Sequence, residues 1–593
     1  MSNSNLPHWD MTVVYPALDS PEFEKGFQSS ANAIAQLAQL FDQHHIAKRD
    51  AATIDPTTVQ TFETIIHATN DAIEEMRTLM VYINAFVTTD TRNNLAQAKQ
   101  SEFQRHMVRL NHLSTRLTAW IGSLDVDVLI EQSAVAREHA FMLRKAKIEA
   151  EHQMSPAEEE LAAELRVTGA TAWNKLHSNF TSQLLVTIPG DKPQTMAMSM
   201  TRNLAYDPDR TVRRQAYQAE LEAWRGAAVP IAAALNSIKG ATVVLSKRRR
   251  WDSPLDVALF DNNIDRPTLD AMMTAAREAF PDFRRYLRAK ARALGLPVLA
   301  WYDIFAPISG GRTWDYAEGA QFIVEQFGTF SPKLKHMAER AFNENWIDAE
   351  PRVGKVDGAF CMPLRKDESR VLTNFKPAFG GVSTIAHELG HAYHNVNLAP
   401  RKMLQRQTPM TLAETASIFC ETLVTQAALK KTAPQEQRVI LENSLQNACQ
   451  VVVDISSRFL FESRVYEKRA QRELSVDEFN ALMLDAQRET YGDGLDPDAL
   501  HPYMWAMKPH YYSSNFYNYP YMFGLLFGLG LFARYQTDPE KFRAGYDDLL
   551  SATGLHDAAE LGTRFGIDTR SPAFWRASFD VIRRDVDRFE SLV

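Results

Sequence analysis

Apolar residues recur along most of this chain at the spacing of amphipathic helices. Residues three, four or seven apart lie on one side of an α-helix, and one long predicted helix has an apolar face formed by Phe62, Ile66, Ile73, Met76, Met80 and Ile83. Another amphipathic helix is predicted at about 92–117, and Ser155-Pro156 followed by Glu158 is the pattern of a helix start. The thirteen apolar and glycine residues of 521–533 predict a buried helix, because they are too few to cross a bilayer.

Extended patterns are rare in the chain. Segments 184–188 and 195–199 flank a Pro-Gly-Asp-Lys-Pro turn and predict a β-hairpin. Segments 358–362 and 370–375 predict a second pair of short strands. Since helical patterns dominate everywhere else, the predicted fold class is mostly α.

The length of 593 residues exceeds that of a domain with a single core. We therefore expect two or more lobes. A new series of helical patterns opens at Asp207-Pro208-Asp209, so we predict a boundary near residue 200. This gives an N-terminal helical lobe over 1–200, with the hairpin near its end, and a larger domain over 201–593.

Composition is that of a large globular protein, with 45% hydrophobic and 23% charged residues. With a net charge of −8, the sequence predicts no basic surface for binding nucleic acid. The basic run 247–250 is interpreted as a solvated helix end. Three cysteines, Cys361, Cys420 and Cys449, argue against a disulfide framework and for a reducing compartment. The first residues lack a basic stretch followed by an apolar one, so we expect a cytoplasmic protein with no membrane partner.

The most informative motif is His387-Glu388-x-x-His391, inside a predicted helix over 382–396. Residues four apart lie one above the other on a helix. Both imidazoles could therefore bind one Zn²⁺, with Glu388 beside them to deprotonate the attacking water. His394, one turn further on, is predicted to be a supporting or structural residue.

A catalytic zinc site needs a third protein ligand, and Glu414 is the predicted one. The alternative is a capping box with Thr411, in which Glu414 would only cap its own helix. The ligand interpretation is favoured because a carboxylate is costly in apolar surroundings unless it is paired or bound to metal; those surroundings are Leu412, Ala413, Ala416, Ile418 and Phe419. Glu421, two turns later on the same face, could accept a hydrogen bond from a ligand histidine.

These motifs resemble the thimet oligopeptidase and oligoendopeptidase F family of zinc metallopeptidases, specifically its oligoendopeptidase F branch. The resemblance rests on 387–394, 412–417 with Phe419 and Glu421, the tyrosine-rich 509–521, and the opening 9–16. It implies a two-lobed helical metallopeptidase in which the N-terminal helices wall a deep central cleft. It also implies one zinc per chain in the catalytic domain 201–593, and a small β-sheet next to the zinc helix.

The tyrosine-rich segment is expected to stabilise the oxyanion of the reaction. His510, Tyr517 and Tyr521 share one face if a single helix includes all three, and Tyr519 then points elsewhere. The resemblance implies that a histidine and one or two tyrosines from this segment contact the tetrahedral intermediate. One extra residue after His510 departs from the family pattern and leaves the choice among Tyr512, Tyr517, Tyr519 and Tyr521 open; we predict His510 and Tyr521, then Tyr517.

The predicted function is a zinc endopeptidase that hydrolyses internal bonds of short, unstructured peptides, with Glu388 as general base. The strand pair near the zinc helix is either a peptide-binding edge or an ordinary small sheet, and the resemblance favours the first. One alternative function is a zinc carboxypeptidase or dipeptidase, which would need a cationic clamp for a peptide terminus. Another is a non-catalytic peptide-binding protein with a vestigial zinc site, which the presence of Glu388 disfavours. Side-chain preference and oligomeric state stay open.

Overall fold

The computed structural model describes residues 6–50, 53–190 and 192–593 and is mostly helical, as predicted. Met1 to Asn5 and Asp191 of the predicted hairpin turn lie outside the described residues. The first eight helices are α1 Pro21–Gln43, α2 Pro56–Thr89, α3 Asn94–Gly122, α4 Val126–Gln132, α5 Ala134–Glu138, α6 Ala140–Glu151, α7 Pro156–Thr168 and α8 Ala170–Ser182. α7 begins with the predicted capping box, in which the side chains of Ser155 and Glu158 satisfy each other's backbone N–H groups.

The remaining helices surround a small sheet. They are α9 Met198–Asn203, α10 Arg210–Arg248, α11 Pro254–Asp261, α12 Arg266–Ala293, α13 Tyr316–Phe330, α14 Pro332–Asn343, α15 Phe379–Leu398, α16 Met410–Ala413, α17 Thr415–Lys431, α18 Pro434–Cys449, α19 Ile455–Arg469, α20 Val476–Tyr491, α21 Met504–Met507, α22 His510–Ser513, α23 Tyr519–Thr537, α24 Pro539–Ser551, α25 Ala558–Arg564 and α26 Pro572–Ser591. Short 3₁₀ turns lie at Leu204–Tyr206, Trp301–Asp303, Met403–Gln405 and Gly492–Gly494, and a π turn at Gln450–Asp454 joins α18 to α19.

Both predicted strand pairs are present. The hairpin pairs β1 (Leu185–Ile188) with β2 (Gln194–Ala197) in antiparallel fashion, and β2 ends earlier than predicted because α9 begins at the next residue. In the second sheet β5 (Glu368–Leu372) pairs with β4 (Phe360–Arg365) antiparallel and with β3 (Ile347–Asp348) parallel. β4 is therefore an edge strand.

Two clusters of buried apolar residues form the interior. One extends from Met11 to Ala146 and includes Met362 and Leu364 of β4, and the other extends from Val186 to Phe589. β4 thus joins the N-terminal core while its sheet partner Val371 belongs to the second core. The domain boundary near residue 200 stays a prediction.

The predicted face of α2 is confirmed except at Met80. Phe62, Ile66, Met76 and Ile83 are buried and Ile73 is half-buried, but Met80 is 41% exposed. The neighbouring Leu79 and Val81 occupy the core at this level of the helix.

Other sequence predictions concern surface and buried segments. The basic run at 247–250 ends α10, where Arg249 pairs with Glu159 at 2.6 Å, as expected for a helix end. Segment 521–533 lies within α23 and is largely buried, as predicted. α10 is the one helix, among the residues the structure describes, that is long and apolar enough to cross a bilayer, and half of its most apolar stretch is buried within the protein.

Candidate metal and catalytic site

Helix α15 carries the His387-Glu388-x-x-His391 motif on one face. Its opposite face buries Ile385 and Leu389 in the second core. The rings of His387 and His391 lie 5.0 Å apart between centroids and nearly perpendicular, at 80°. The four-residue spacing therefore places two imidazoles side by side at the helix surface, as predicted.

Two glycines allow the neighbouring helices to approach this face closely. A Cβ on Gly390 would lie 2.5 Å from Cα of Ser417 in α17, and a Cβ on Gly524 in α23 would lie 2.7 Å from Cβ of Glu414. Both distances are shorter than any normal carbon–carbon contact. Only glycine at these positions lets α15 and α23 close on the start of α17, where Glu414 lies.

Glu414 lies between α16 and α17 and points at both histidines. Its Oε2 atom is 3.2 Å from Nε2 of His387 and 3.3 Å from Nε2 of His391, and it accepts a hydrogen bond of 2.7 Å from Ser417 Oγ. One ligand atom from each of the three residues lies within 4.8 Å of the others. Burial raises the pKa of Glu414, but the hydrogen bonds with the two histidines outweigh it and hold that pKa well below its ordinary value.

The capping-box alternative for Glu414 is wrong. Its side chain makes no capping hydrogen bond to α17. The Thr411 hydroxyl donates instead to the carbonyl of Asn262 at 2.6 Å. The carboxylate is therefore free to act at the histidine pair.

Glu421 holds His387 in a defined orientation. Nδ1 of His387 lies 2.9 Å from Glu421 Oε2, and Ser383 Oγ donates to Glu421 Oε1 at 2.9 Å. The Nδ1 contact with Glu421 directs Nε2 of His387 at the ligand group, where a neutral imidazole would offer its lone pair to a metal ion. His394 is buried and bonds Thr553 Oγ1 at 2.9 Å, which is the structural position predicted for it.

Glu388 is the buried carboxylate beside the ligand atoms. Its Oε2 atom has no hydrogen-bond partner within the described part of the chain, and burial raises the pKa of Glu388. Two imidazole nitrogens and one carboxylate are the donor set of a catalytic zinc, which keeps a further position open for water or substrate. The residues present fit such an ion, and the unpaired oxygen of Glu388 is available to the molecule in that open position.

The tyrosine-rich segment is not a single helix. α22 ends at Ser513, Phe516 adopts a left-handed conformation with φ of 49°, and α23 begins at Tyr519. The rings nevertheless converge: His510 stacks on Tyr517 with centroids 4.6 Å apart, and the Tyr521 hydroxyl lies 3.2 Å from that of Tyr517. The prediction of one helix face is wrong, yet the predicted side chains meet.

The structure separates the four candidate tyrosines into two groups. The hydroxyls of Tyr512 and Tyr519 donate to the carbonyls of Trp505 and Ala258, at 3.2 and 3.0 Å. Tyr521 instead borders the same cavity, of about 380 Å³, as His387 and Glu414. Burial and the hydrogen bond with Tyr517 raise the pKa of Tyr521, so its hydroxyl stays protonated and able to donate. Burial also lowers the pKa of His510.

Two contacts of the site were not predicted. Ser417 donates to Glu414, and its position one turn after Glu414 could have indicated this. Arg458 donates to Asn518 Oδ1 at 3.1 Å, next to the start of α23, and also pairs with Asp454. No local pattern connects Arg458 to Asn518, which lies 60 residues away.

Comparisons with known proteins agree with this geometry. The family described as peptidase family M3 matches residues 203–581, and that described as oligopeptidase F matches residues 125–184. The oligoendopeptidase F homolog of Lactococcus lactis subsp. lactis (strain IL1403) is 26% identical over 395 residues, which are 66% of this chain. The chain spans 66% of the length of that relative. The oligopeptidase PepF of Bacillus subtilis (strain 168) is 20% identical over 534 residues, 88% of this chain and 79% of the relative.

Solved structures share the whole fold. A structure from Chlamydophila abortus has a TM-score of 0.84 at 20% identity and covers 99% of this chain and 98% of its own. The oligoendopeptidase-F of Enterococcus faecium has a TM-score of 0.69 at 17% identity, covering 96% of this chain and 98% of its own. Both structures match this chain along almost their full length, so they share its overall fold.

Proposed function

Because this chain belongs to peptidase family M3, we propose that it is a zinc-dependent endopeptidase that hydrolyses internal bonds of short, unstructured peptides. The observation that supports this most directly is the group of His387, His391 and Glu414 with ligand atoms within 4.8 Å. The unpaired buried oxygen of Glu388 beside that group supports catalysis rather than binding alone.

The chain's own residues divide the chemistry among them. His387, His391 and Glu414 would hold the zinc ion, which when bound would supply a Lewis acid for the scissile carbonyl and for the attacking water. Glu388 takes a proton from the attacking water and delivers it to the leaving amine. Glu421 fixes the tautomer of His387 through the Nδ1 contact of 2.9 Å.

Tyr521, Tyr517 and His510 are proposed to stabilise the oxyanion. Tyr521 lies on the wall of the cavity that His387 and Glu414 also border. Tyr517 and His510 support it through the contacts of 3.2 Å and 4.6 Å. A neutral phenol donates a hydrogen bond to developing negative charge without itself needing to ionise.

Strand β4 is proposed to hold the peptide backbone. It pairs with β5 on one side only, and its packing against α2 and α15 places it between the N-terminal helices and the zinc helix. An extended peptide can add to such an edge through main-chain hydrogen bonds, which are indifferent to side chains. Short unstructured peptides fit this mode because a folded protein presents no free strand to the edge.

The test combines metal analysis with product analysis. The purified chain should contain one zinc, lose hydrolysis on chelation and regain it when zinc is restored. The substrates are peptides acetylated and amidated at their ends, and mass spectrometry should find internal cleavage. A length series that ends with a reduced, alkylated protein measures the size limit.

The outcomes separate the proposed function from its alternatives. Cleavage of free peptides combined with resistance of their amidated forms would identify a carboxypeptidase. Binding of peptides by the zinc-loaded chain with no cleavage at all would identify a non-catalytic protein. Rapid digestion of the long unfolded protein would contradict the preference for short peptides but leave the zinc chemistry intact.

A further inference from the structure

The cavity at the metal site continues well beyond the metal ligands. It has a volume of about 380 Å³ and runs from His387, Glu414 and Tyr521 to Gln426 and Asp585. Ligand cavities in proteins typically measure about 300–1,000 Å³. At about 380 Å³ the cavity lies near the lower end of this range and is large enough for one long substrate side chain.

Asp585, on α26, forms the far end of this cavity. Its two carboxylate oxygens accept hydrogen bonds from Nε2 of Gln426 at 3.1 and 3.2 Å. No cationic side chain within the described ranges lies at ion-pair distance from it. Its neighbours in sequence point to other partners, Arg584 to Gln536 and Arg588 to Leu429 and Gln437. A neutral amide is thus the only hydrogen-bonding partner described for this carboxylate.

The walls of the cavity carry a surplus of negative charge. Glu414, Glu421 and Asp585 border it, and no lysine or arginine does so among the described residues. A divalent cation on the ligand group would offset two of the three carboxylates and leave one negative charge. Asp585 lies at the opposite end from that group and carries the remaining charge, which Arg584 and Arg588 oppose through space without pairing with it. Burial raises its pKa to about 6, and it is mainly ionised at neutral pH.

The lining between the two ends matches a long, flexible side chain. Apolar groups of Leu525, Leu529, Val581 and Ile582 face the cavity. Lysine and arginine place their aliphatic stems along such surfaces and their charged heads on polar groups. A hydrophobic side chain would fill the same walls but would leave the Asp585 carboxylate desolvated and without a cation.

We propose that this cavity is a subsite for a lysine or arginine side chain at one of the two residues flanking the cleaved bond, with Asp585 as its specificity-determining anion. The proposal rests on the proposed peptidase function and names the substrate class for it. The competing explanation is that the hydrogen bonds between Asp585 and Gln426 only connect α26 to α17 and have no role in substrate binding.

The test uses the zinc-loaded full chain and capped, internally quenched peptides that differ only at the two flanking residues. Each position carries in turn arginine, its neutral isostere citrulline, or glutamate. At one position kcat/KM for arginine should exceed that for citrulline by about 10- to 100-fold, the effect of a hydrogen-bonded charge pair in a buried site. Glutamate should be cleaved more slowly than citrulline, and mass spectrometry confirms that every peptide is cut at the same bond.

Two variants on the same helix assign the selectivity. Asp585→Asn keeps the shape and the acceptor for Gln426 but removes the charge, so the ratio of arginine to citrulline should fall toward one. Asp580→Asn is the matched control, since Asp580 is 52% exposed and paired with Arg583, and it should keep the original ratio. Fluorescence anisotropy with the same peptides in a Glu388→Gln background should show the same preference as a difference in Kd.

Two results would overturn the subsite. One is equal cleavage of arginine and citrulline peptides at both positions. The other is an Asp585→Asn protein that slows all peptides by one factor, which would make Asp585 a structural tie. Failure of the peptidase function itself is distinguishable, because the citrulline peptide would then not be cleaved at all. The anisotropy comparison would still decide whether Asp585 selects arginine.

Discussion

The two ends of the cavity at the metal site each contain a half-buried carboxylate, and their surroundings have opposite effects on its pKa. At the metal end, Glu414 faces His387 and His391 and its pKa is lowered despite burial. At the far end, Asp585 faces only the amide of Gln426, and burial raises its pKa to about 6. Two histidines are in direct contact with the first carboxylate, whereas in the described part of the chain the second has no cationic side chain at ion-pair distance and is reached only through space by Arg584 and Arg588. An acid left in that state inside a binding cavity is typical of a site completed by its ligand.

Replacing Glu414 by Ala breaks the metal end and should have the largest effect. It removes one of three ligands and leaves the two histidines without their carboxylate partner. Zinc affinity should fall by more than the roughly 10- to 100-fold typical of losing a supporting contact, and hydrolysis should disappear with the metal. Mass spectrometry of bound metal and the peptide assay measure both. A Glu414→Ala protein with full zinc and normal turnover would exclude Glu414 as a ligand.

Replacing Glu388 by Gln tests the base without breaking the metal end. The amide keeps the size of the side chain but cannot accept a proton from water. Zinc content and peptide binding should be retained, and kcat should fall about 10²- to 10⁴-fold. The measurements are metal content, Kd by anisotropy and kcat. If turnover stays near normal, Glu388 has no part in proton transfer.

Replacing Tyr521 by Phe tests the hydroxyl that borders the cavity beside the metal ligands. The ring and its packing remain, and only the hydroxyl that lies 3.2 Å from Tyr517 is lost. If that hydroxyl donates mainly in the transition state, kcat should fall about 10- to 1,000-fold with little change in KM. Tyr519→Phe is the matched control, because that hydroxyl donates to Ala258 away from the cavity. Equal kcat values for the two variants would move the role to Tyr517.

Replacing Asp585 by Asn should give the smallest effect, a gain in stability at neutral pH. Burial raises the pKa of Asp585 from 3.8 to about 6, so the folded state binds a proton more tightly than the unfolded state between these values. Stability therefore declines as pH rises from about 4 to 6, and Asn removes that decline. The variant should be more stable by about 1–3 kcal/mol above pH 6 and no more stable below pH 4.

Denaturant unfolding at several pH values measures this difference. Asp580→Asn, on the same helix, should show no such gain because Asp580 is exposed and paired. A gain that does not depend on pH would show that the ionisation of Asp585 carries no penalty in the fold. In that case the fold would accommodate the ionised carboxylate of Asp585 without cost, as it does that of Glu414.

Much of the metal end could be predicted from the sequence because its geometry is local. The spacing of His387, Glu388 and His391 fixes their relation on a single helix, and the apolar residues around Glu414 indicated that its carboxylate needs a partner. The mostly α fold and both strand pairs followed from periodicity in the same way. The roles of these residues in binding and catalysis stay predictions.

The other features of the site depend on contacts between residues far apart in the sequence, which no local pattern indicates. The His510 segment was predicted as one helix, but the left-handed Phe516 and a new helix at Tyr519 bring the same rings together by another path. Asp585 meets Gln426 across 159 residues. In the sequence Asp585 is one of several acidic residues on an amphipathic helix. Only the packing shows that no cationic side chain of the described residues forms an ion pair with it.

The close approach at Gly390 also changes how the His387-Glu388-x-x-His391 motif should be defined. A motif written as H-E-x-x-H treats its third and fourth positions as free. In this protein the fourth position is Gly390, and it must lack a side chain, because a Cβ there would lie 2.5 Å from Cα of Ser417. A larger residue would push α15 away from the start of α17 and increase the distance from the two histidines to Glu414. Searches for related sites, and attempts to reproduce this packing on another scaffold, should therefore require glycine at the fourth position of the motif as well as the ligand residues.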